Sequence, residues 1–225
     1  DPRTIPNLLL PQSTEVLSGR EAKISMAVPL DYLQDPATVF PVVVDPSVDY
    51  MWGFDTWVSK EWANTDKSGA TFLRIGGASG RARSFIHFNV GQTSGKRIMG
   101  AELNLFETHA WSCQPRNWEL WDTGHASTST RWGAQPAWYG RWATSSETTG
   151  YSSSCGDGWV GVDARNLVQA WADSGQTGTV AVGLKAENEA DNYALKEFNS
   201  ANAGSYVPAL WVHYDTAPSA STDLG

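Results

Sequence analysis

Apolar and polar residues alternate in short stretches along most of the chain. In Ala101-Glu102-Leu103-Asn104-Leu105 the apolar side chains fall on one side of an extended backbone, and residues 180–186 repeat the spacing with Val180, Val182, Leu184 and Ala186. A period of two is typical of a β-strand with one buried face. Between residues 49 and 215 the pattern predicts eight or more strands, separated by segments rich in glycine, serine and threonine.

One helix is predicted, over residues 163–171. Leu167 and Trp171 are four positions apart and share a helix face, Asp163 is a suitable N-cap, and Gly175 follows the end. Many strands with one short helix predict an all-β fold, specifically a jelly-roll β-sandwich.

Proline divides the chain unevenly. Residues 1–48 contain seven of the eleven prolines, and proline lacks a backbone donor. This segment is therefore predicted to be an extended lead-in that could add an edge strand, with Val42–Val44 as one short strand. Residues 49–215 are predicted to form the sandwich. Residues 216–225 have the Ser, Thr, Ala and Pro content of a C-terminal linker, so we expect a piece of a longer protein.

Charge and hydropathy exclude two classes of partner. The formal net charge is −8, which argues against nucleic-acid binding because phosphate affinity requires many Lys and Arg side chains. No apolar run approaches the roughly 18 residues of a membrane-spanning helix, so no membrane span is predicted.

Two cysteines, Cys113 and Cys155, lie 42 positions apart in Ser-rich segments. A disulfide is predicted, which would contribute about 4 kcal/mol by restricting the unfolded chain. It would also place the protein in an oxidising, extracellular compartment. Two free thiols are one alternative. Another is a zinc site with His109 and His125, although no C-x-x-C pair is present.

Catalytic motifs are not found, and the chain is predicted not to be an enzyme. Gly76-Gly77-Ala78-Ser79-Gly80 lacks the G-x-S-x-G spacing of a nucleophile elbow, and no phosphate loop or H-E-x-x-H motif occurs. Glu187, Glu189 and Asp191 place three carboxylates within five residues. They are interpreted either as a solvated turn or as ligands of a structural calcium ion, although their spacing is not that of an EF-hand.

Aromatic and basic residues provide the candidates for ligand binding. The chain has 12 tryptophans, and an exposed indole can stack on the apolar face of a sugar. No acidic residue occurs between Lys67 and Glu102, whereas five basic ones do, and Arg83, Phe85, His87 and Asn89 share one face of a predicted strand. Arginine binds carboxylates with two parallel hydrogen bonds, which predicts an acidic polysaccharide ligand. The predicted ligand-binding residues are Trp57, Arg74, Arg81, Arg83, His87 and Trp211.

Those features have a second interpretation. The tryptophans could widen a thin core, and the arginines could pair with acids elsewhere, such as Glu187 or Glu197.

The order of several segments resembles the DNRLRE domain, a module of large secreted bacterial proteins that include YD-repeat toxins and polysaccharide lyases. The closing stretch, Asp191-Asn192-Tyr193-Ala194-Leu195-Lys196-Glu197-Phe198, has an insertion relative to the motif that names the domain. The other similar stretches are Asp55–Val58, Leu73–Gly76, Arg83–Phe88, Ala101–Leu105, Thr130–Pro136, Val162–Trp171 and Pro208–Val212.

The resemblance implies a secreted, non-catalytic jelly-roll sandwich that binds carbohydrate in some members. The leading hypothesis is an extracellular carbohydrate-binding module that holds an attached domain on a surface. The alternative is a structural or adhesion domain that contacts neighbouring domains of its parent protein.

Overall fold

The computed structural model describes residues 12–18, 21–26, 28–36, 47–77 and 79–215. Its internal contacts divide the chain into two units, Asp1–Asp45 and Pro46–Gly225. The predicted strand at Val42–Val44 and the predicted linker at residues 216–225 lie outside the described residues.

The first unit contains a hairpin and a short helix. Strand β1 (Gln12–Ser18) pairs antiparallel with β2 (Glu21–Met26), and helix α1 spans Leu30–Gln34. Extended structure alone was predicted for this region, so α1 is a correction. Pro29 precedes the helix, and its carbonyl accepts the Leu33 N–H at 3.2 Å. Proline is favourable at a helix start because the first helical N–H groups have no partner within the helix.

The second unit is an all-β sandwich of ten strands with one substantial helix, α2 (Arg165–Asp173), as predicted. Short 3-10 turns occur at Gly91–Thr93, Asn192–Ala194 and Ala201–Ala203. The strands are β3 (Ser47–Ser59), β4 (Phe72–Ile75), β5 (Ala82–Asn89), β6 (Arg97–Ala110), β7 (Trp118–Thr123), β8 (Trp138–Ser145), β9 (Gly158–Asp163), β10 (Thr179–Ala186), β11 (Lys196–Asn199) and β12 (Ala209–Asp215).

Two antiparallel sheets share β3. In the first sheet, β6 pairs with β9 on one edge and with β12 and β11 on the other, while β12 also pairs with residues 47–51 of β3 and β11 with β4. The second sheet has the order β3-β5-β10-β7-β8, using residues 52–59 of β3. Apolar side chains of both sheets form one buried cluster that includes Leu103, Leu105, Ile86, Phe88 and Leu184.

Helix α2 begins two residues later than predicted. Asp163 is the last residue of β9, and its Oδ1 accepts the Arg165 N–H at 2.8 Å. Leu167 and Trp171 are buried on one face, as their spacing predicts. Neither helix of the described residues is long and apolar enough to cross a membrane.

The outer face of β5 is covered at Phe85 and His87, which corrects the predicted exposure of these two residues, whereas Asn89 on the same face is exposed. Phe85 is fully buried and His87 is 7% exposed. The connection between β7 and β8 folds over this face, where Val58, Phe85 and Ala126 form a second buried cluster flanked by Trp132 and Trp138.

The predicted disulfide joins Cys113 and Cys155, with a Cα–Cα distance of 5.9 Å. It connects the segment after β6 to the turn before β9. No free cysteine remains, so the free-thiol and zinc alternatives are excluded.

Candidate functional site

Three of the predicted ligand-binding residues lie close together at one end of the sandwich. Trp57 is in β3, Arg74 is in β4, and Arg81 precedes β5. The loops before β4 and before β5 meet there, since the Lys60 N–H donates to the carbonyls of Gly80 (3.1 Å) and Arg81 (3.0 Å). We call this surface the basic corner. It comprises Lys60, Trp62, Lys67, Arg74 and Arg81.

A buried hydroxyl organises the two loops of the basic corner. The Ser59 Oγ donates to the Gly80 carbonyl at 2.9 Å and accepts the Glu61 N–H at 3.0 Å. A serine side chain that bonds nearby backbone in this way favours a turn over a continued strand. Gly76 makes the second loop, because its φ of 75° suits glycine and any Cβ there would collide with the Ala194 carbonyl.

A second turn presents Lys67. The Asp66 Oδ1 accepts the Ser68 N–H at 3.0 Å. This backbone hydrogen bond, together with one from the Ser68 side chain, lowers the pKa of Asp66. The loop is also held from the side, because the Trp132 N–H donates to the Ala63 carbonyl at 3.1 Å.

Trp57 cannot stack on a ligand, which corrects its predicted role. It is 1% exposed and belongs to the main core. Its neighbour Trp62 is 38% exposed and packs edge-on against it, with ring centroids 5.9 Å apart. Trp62 is thus the indole that the basic corner offers to solvent.

Two cations lie against these rings. The Lys67 Nζ is 4.7 Å from the Trp62 centroid and 5.0 Å from that of Trp57, and the Arg74 Cζ is 5.4 Å and 5.1 Å away respectively. Arg74 also forms an ion pair with Glu197, its Nε donating to Oε1 at 2.8 Å. Arg74 is therefore held in place and partly neutralised, whereas Arg81 is exposed.

The basic corner and its immediate neighbours carry a net positive charge. Five basic side chains stand against three acidic ones, a local charge of +2 in a chain of −8. Such a patch attracts anionic ligands through its summed field. The basic ones are Lys60, Lys67, Arg74, Arg81 and Arg131, and the acidic ones are Glu61, Asp66 and Glu197.

Arg83 and His87, both predicted to bind a ligand, make structural contacts within the sandwich. The Arg83 guanidinium donates to both Glu189 carboxylate oxygens, at 2.7 and 2.8 Å, and lies 5.0 Å from the Trp132 ring centroid. The His87 Nε2 accepts the Ala126 N–H at 3.0 Å. Burial, together with His125, lowers the pKa of His87 to about 4, so it stays neutral at physiological pH. Both residues fasten the β7–β8 connection to β5.

The remaining predicted residues are not part of the basic corner. Trp211 lies in β12, on the outer face of the first sheet beside Glu102.

The three carboxylates are held apart by different partners. Glu189 binds Arg83, Asp191 binds the Arg116 Nε at 2.8 Å, and Glu187 accepts from the Asn117 Nδ2 at 2.9 Å. No group of three His, Cys, Asp or Glu side chains in the described part of the chain could hold a metal ion. The predicted calcium site at Glu187, Glu189 and Asp191 thus lacks a convergent ligand set.

The sequence-based prediction named Trp57 and included neither Trp62 nor Lys67. Alternation along β3 could not reveal that Trp57 is covered, because Trp57 and Val58 face opposite ways and yet both are buried, Trp57 in the main core and Val58 in the second cluster. Lys67 could not be found, because its position depends on the folding of a loop.

A family model described as carbohydrate-binding module family 96 matches residues 46–214, well over half of the chain. A comparison with curated proteins found no match.

Proposed function

The chain belongs to carbohydrate-binding module family 96, and we propose that it binds an acidic polysaccharide through the basic corner. One observation carries the proposal: the exposed Trp62 indole lies beside Lys67, in a corner that also carries the exposed side chains of Lys60 and Arg81. Binding would hold an attached domain on a polysaccharide surface. The binding-module family and the disulfide support a non-catalytic, extracellular role.

The chemistry of the basic corner suits a chain of uronate sugars. The Lys67 ammonium is a compact point charge held beside the Trp62 ring, and the exposed Arg81 guanidinium can bind one carboxylate through two hydrogen bonds. The Trp62 indole offers apolar surface to the C–H face of a sugar ring. Arg74 supports the site, because its pairing with Glu197 fixes it against Trp62.

Affinity for a polyuronate tests the proposal. We expect binding of a soluble uronate oligomer, measured by isothermal titration calorimetry, to weaken about tenfold in Lys67→Ala/Arg81→Ala, as expected when about 1.4 kcal/mol of charged contact is lost. The affinity of the unaltered protein should also fall as salt rises, because salt screens exposed charges.

Arg97→Ala is the matched control, since Arg97 is an exposed arginine in β6, outside the basic corner. Equal weakening by Arg97→Ala would show a non-specific charge effect, and unchanged binding in the double variant would refute the basic corner as the site.

The second candidate function is a structural or adhesion domain. It is favoured by the ion pairs that neutralise Arg74 and Arg83, since these arginines are not fully available to a ligand. Failure of both acidic and uncharged glycans to bind would support this alternative.

A further inference from the structure

We infer that the outer face of the first sheet is a second carbohydrate site, one that takes an uncharged stretch of a glycan. Three aromatic side chains cluster there: Phe106 in β6, Trp159 in β9 and Tyr206 in the loop before β12. Phe106 and Tyr206 are stacked, with centroids 4.6 Å apart and planes at 19°, and Trp159 stands edge-on 5.5 Å from Phe106. We call these three residues the aromatic wall.

The rings of the aromatic wall are available to a ligand. Trp159 is 47% and Tyr206 57% exposed, although large aromatic side chains are favourable to bury. Exposed aromatic rings grouped on one surface are more informative than the same rings scattered singly.

Strand register determines what lies beside the aromatic wall. Phe106 is opposite Trp159. Two residues along β6, Asn104 is flanked by Gly161 of β9 and Ala209 of β12. After two more residues, Glu102 is flanked by Asp163 and Trp211. Rows two residues apart are separated by about 7 Å, so about 14 Å separates the aromatic wall from the Trp211 row.

The middle row forms the floor of a trough. Ala209 and Gly161 have little or no side chain, and Asn104 contributes an amide that can donate to and accept from hydroxyl groups. The Trp211 ring lies against Gly100, where an added Cβ would be 3.2 Å from it. The Glu102 carboxylate occupies the space that a Cβ on Gly161 would require. The trough thus has an aromatic side, a second aromatic at its far edge, and polar groups between them.

The backbone at Tyr206 provides an independent argument. Its φ is 50°, and it is the one residue other than glycine with a positive φ in the described part of the chain. A side chain held in this region costs roughly 1–2 kcal/mol, and such strain is concentrated at functional sites. Glycine would relieve the strain but would remove the ring that stacks on Phe106.

The charge of the trough selects the ligand class. The ionisable side chains of the three rows are Glu102 and Asp163, both exposed, and the exposed Glu147 carboxylate accepts the Gly161 N–H at 2.6 Å at the edge of the middle row. No Lys or Arg occupies the three rows. These carboxylates disfavour a uronate close by, because like charges repel. Hydroxyl-rich sugars without charge can stack on the aromatic wall and bond to Asn104 and Glu102. The trough is therefore complementary to a different glycan segment from the one proposed for the basic corner.

Two sites of different chemistry would let one module hold a mixed polysaccharide at two points, and the second contact would raise the overall affinity through effective concentration. This inference rests on the carbohydrate-binding family of the chain and not on the basic corner, so either site can fail without the other.

The test uses cellohexaose, xylohexaose and mannohexaose as uncharged probes and a uronate hexamer as the charged one, with calorimetry and tryptophan fluorescence as readouts. We expect at least one uncharged probe to bind, and Trp159→Ala to weaken it about tenfold. Lys67→Ala/Arg81→Ala should leave that binding unchanged. Trp111→Ala is the matched control, because Trp111 is 46% exposed and lies outside the trough.

Tyr206→Gly separates binding from folding. We expect this variant to unfold at the same or a higher temperature, since the positive φ is relieved, and yet to bind the uncharged probe about tenfold more weakly. No binding by any uncharged hexamer at millimolar concentration, or unchanged affinity in both Trp159→Ala and Tyr206→Gly, would overturn the second site. Retained uronate binding in that case would leave the proposed function intact.

Discussion

The ion pair between Lys196 and Glu107 is the most consequential polar contact of the core. The Lys196 side chain is only 1% exposed, and Glu107 is fully buried. The Lys196 Nζ donates to Glu107 Oε1 (2.9 Å), to the Glu147 carbonyl (2.9 Å) and to the Thr148 Oγ1 (2.9 Å). Burial opposes both charges, raising the pKa of Glu107 and lowering that of Lys196, while each charge stabilises the other.

Replacing one partner of this ion pair should lower the free energy of unfolding far more than replacing both. Lys196→Met leaves the Glu107 carboxylate buried without its counter-ion, at an expected cost of about 3–5 kcal/mol in the free energy of unfolding. Glu107→Leu leaves a buried ammonium at a similar cost. The double variant loses the charges together, so the expected cost is only the backbone partners left unpaired at Thr149 and Glu147, about 1–3 kcal/mol.

Urea denaturation followed by circular dichroism measures these differences, and the double-mutant cycle gives the coupling between the two residues. Arg116→Ala is the control, because the Arg116–Asp191 pair is partly exposed and should contribute less than about 1 kcal/mol. Single variants that each cost less than the control, or costs that simply add in the double variant, would refute the reasoning.

Two further stability predictions follow from the core and the disulfide. Burial raises the pKa of Asp55 from 3.8 to about 6, so the folded state holds this proton more tightly than the unfolded state. Its stabilising effect is therefore complete below about pH 3.8 and lost as pH rises to about 6. Relative to Asp55→Asn, the unaltered protein should lose up to about 3 kcal/mol across that window in urea titrations, and a pH-independent difference would contradict this. Replacing Cys113 and Cys155 by Ala should lower the free energy of unfolding by up to about 4 kcal/mol, because their loop of 42 residues is no longer closed in the unfolded state; a midpoint equal to that of the oxidised protein would show that the bond contributes nothing.

The closing stretch that resembles a family motif has a physical explanation in the fold. Asp191 caps a 3-10 turn by accepting the Tyr193 N–H at 2.9 Å, and Lys196 is the buried partner of Glu107. Glu197 pairs with Arg74, and Phe198 is fully buried in the core. These roles bind β11 to both β4 and β6. Packing and charge pairing thus account for these four residues of the stretch.

The basic corner was only partly predictable. Arg74 and Arg81 were predicted to bind a ligand because the segment around them contains basic residues and no acid, and both residues lie in the basic corner. Arg83 belongs to the same run but is paired with Glu189, which is 106 positions away. Local charge density can be read along the chain. Which acid pairs with which arginine depends on the tertiary structure, because β11 and the segment between β10 and β11 bring Glu197 to Arg74 and Glu189 to Arg83.

What could be determined from the sequence by itself was local. Alternation predicted the strands at residues 101–105 and 180–186, helical spacing predicted the buried face of α2, and composition with cysteine spacing indicated a disulfide-bonded β-sandwich. These inferences hold because backbone geometry imposes a period on each element. Only the tertiary structure decided which outer faces remain exposed. The connection at residues 124–137 covers Phe85 and His87, whereas the face that carries Trp159 and Trp211 stays open. The local sequence of a strand does not show whether its outer face will be covered, because the segments that cover it are far away in the chain.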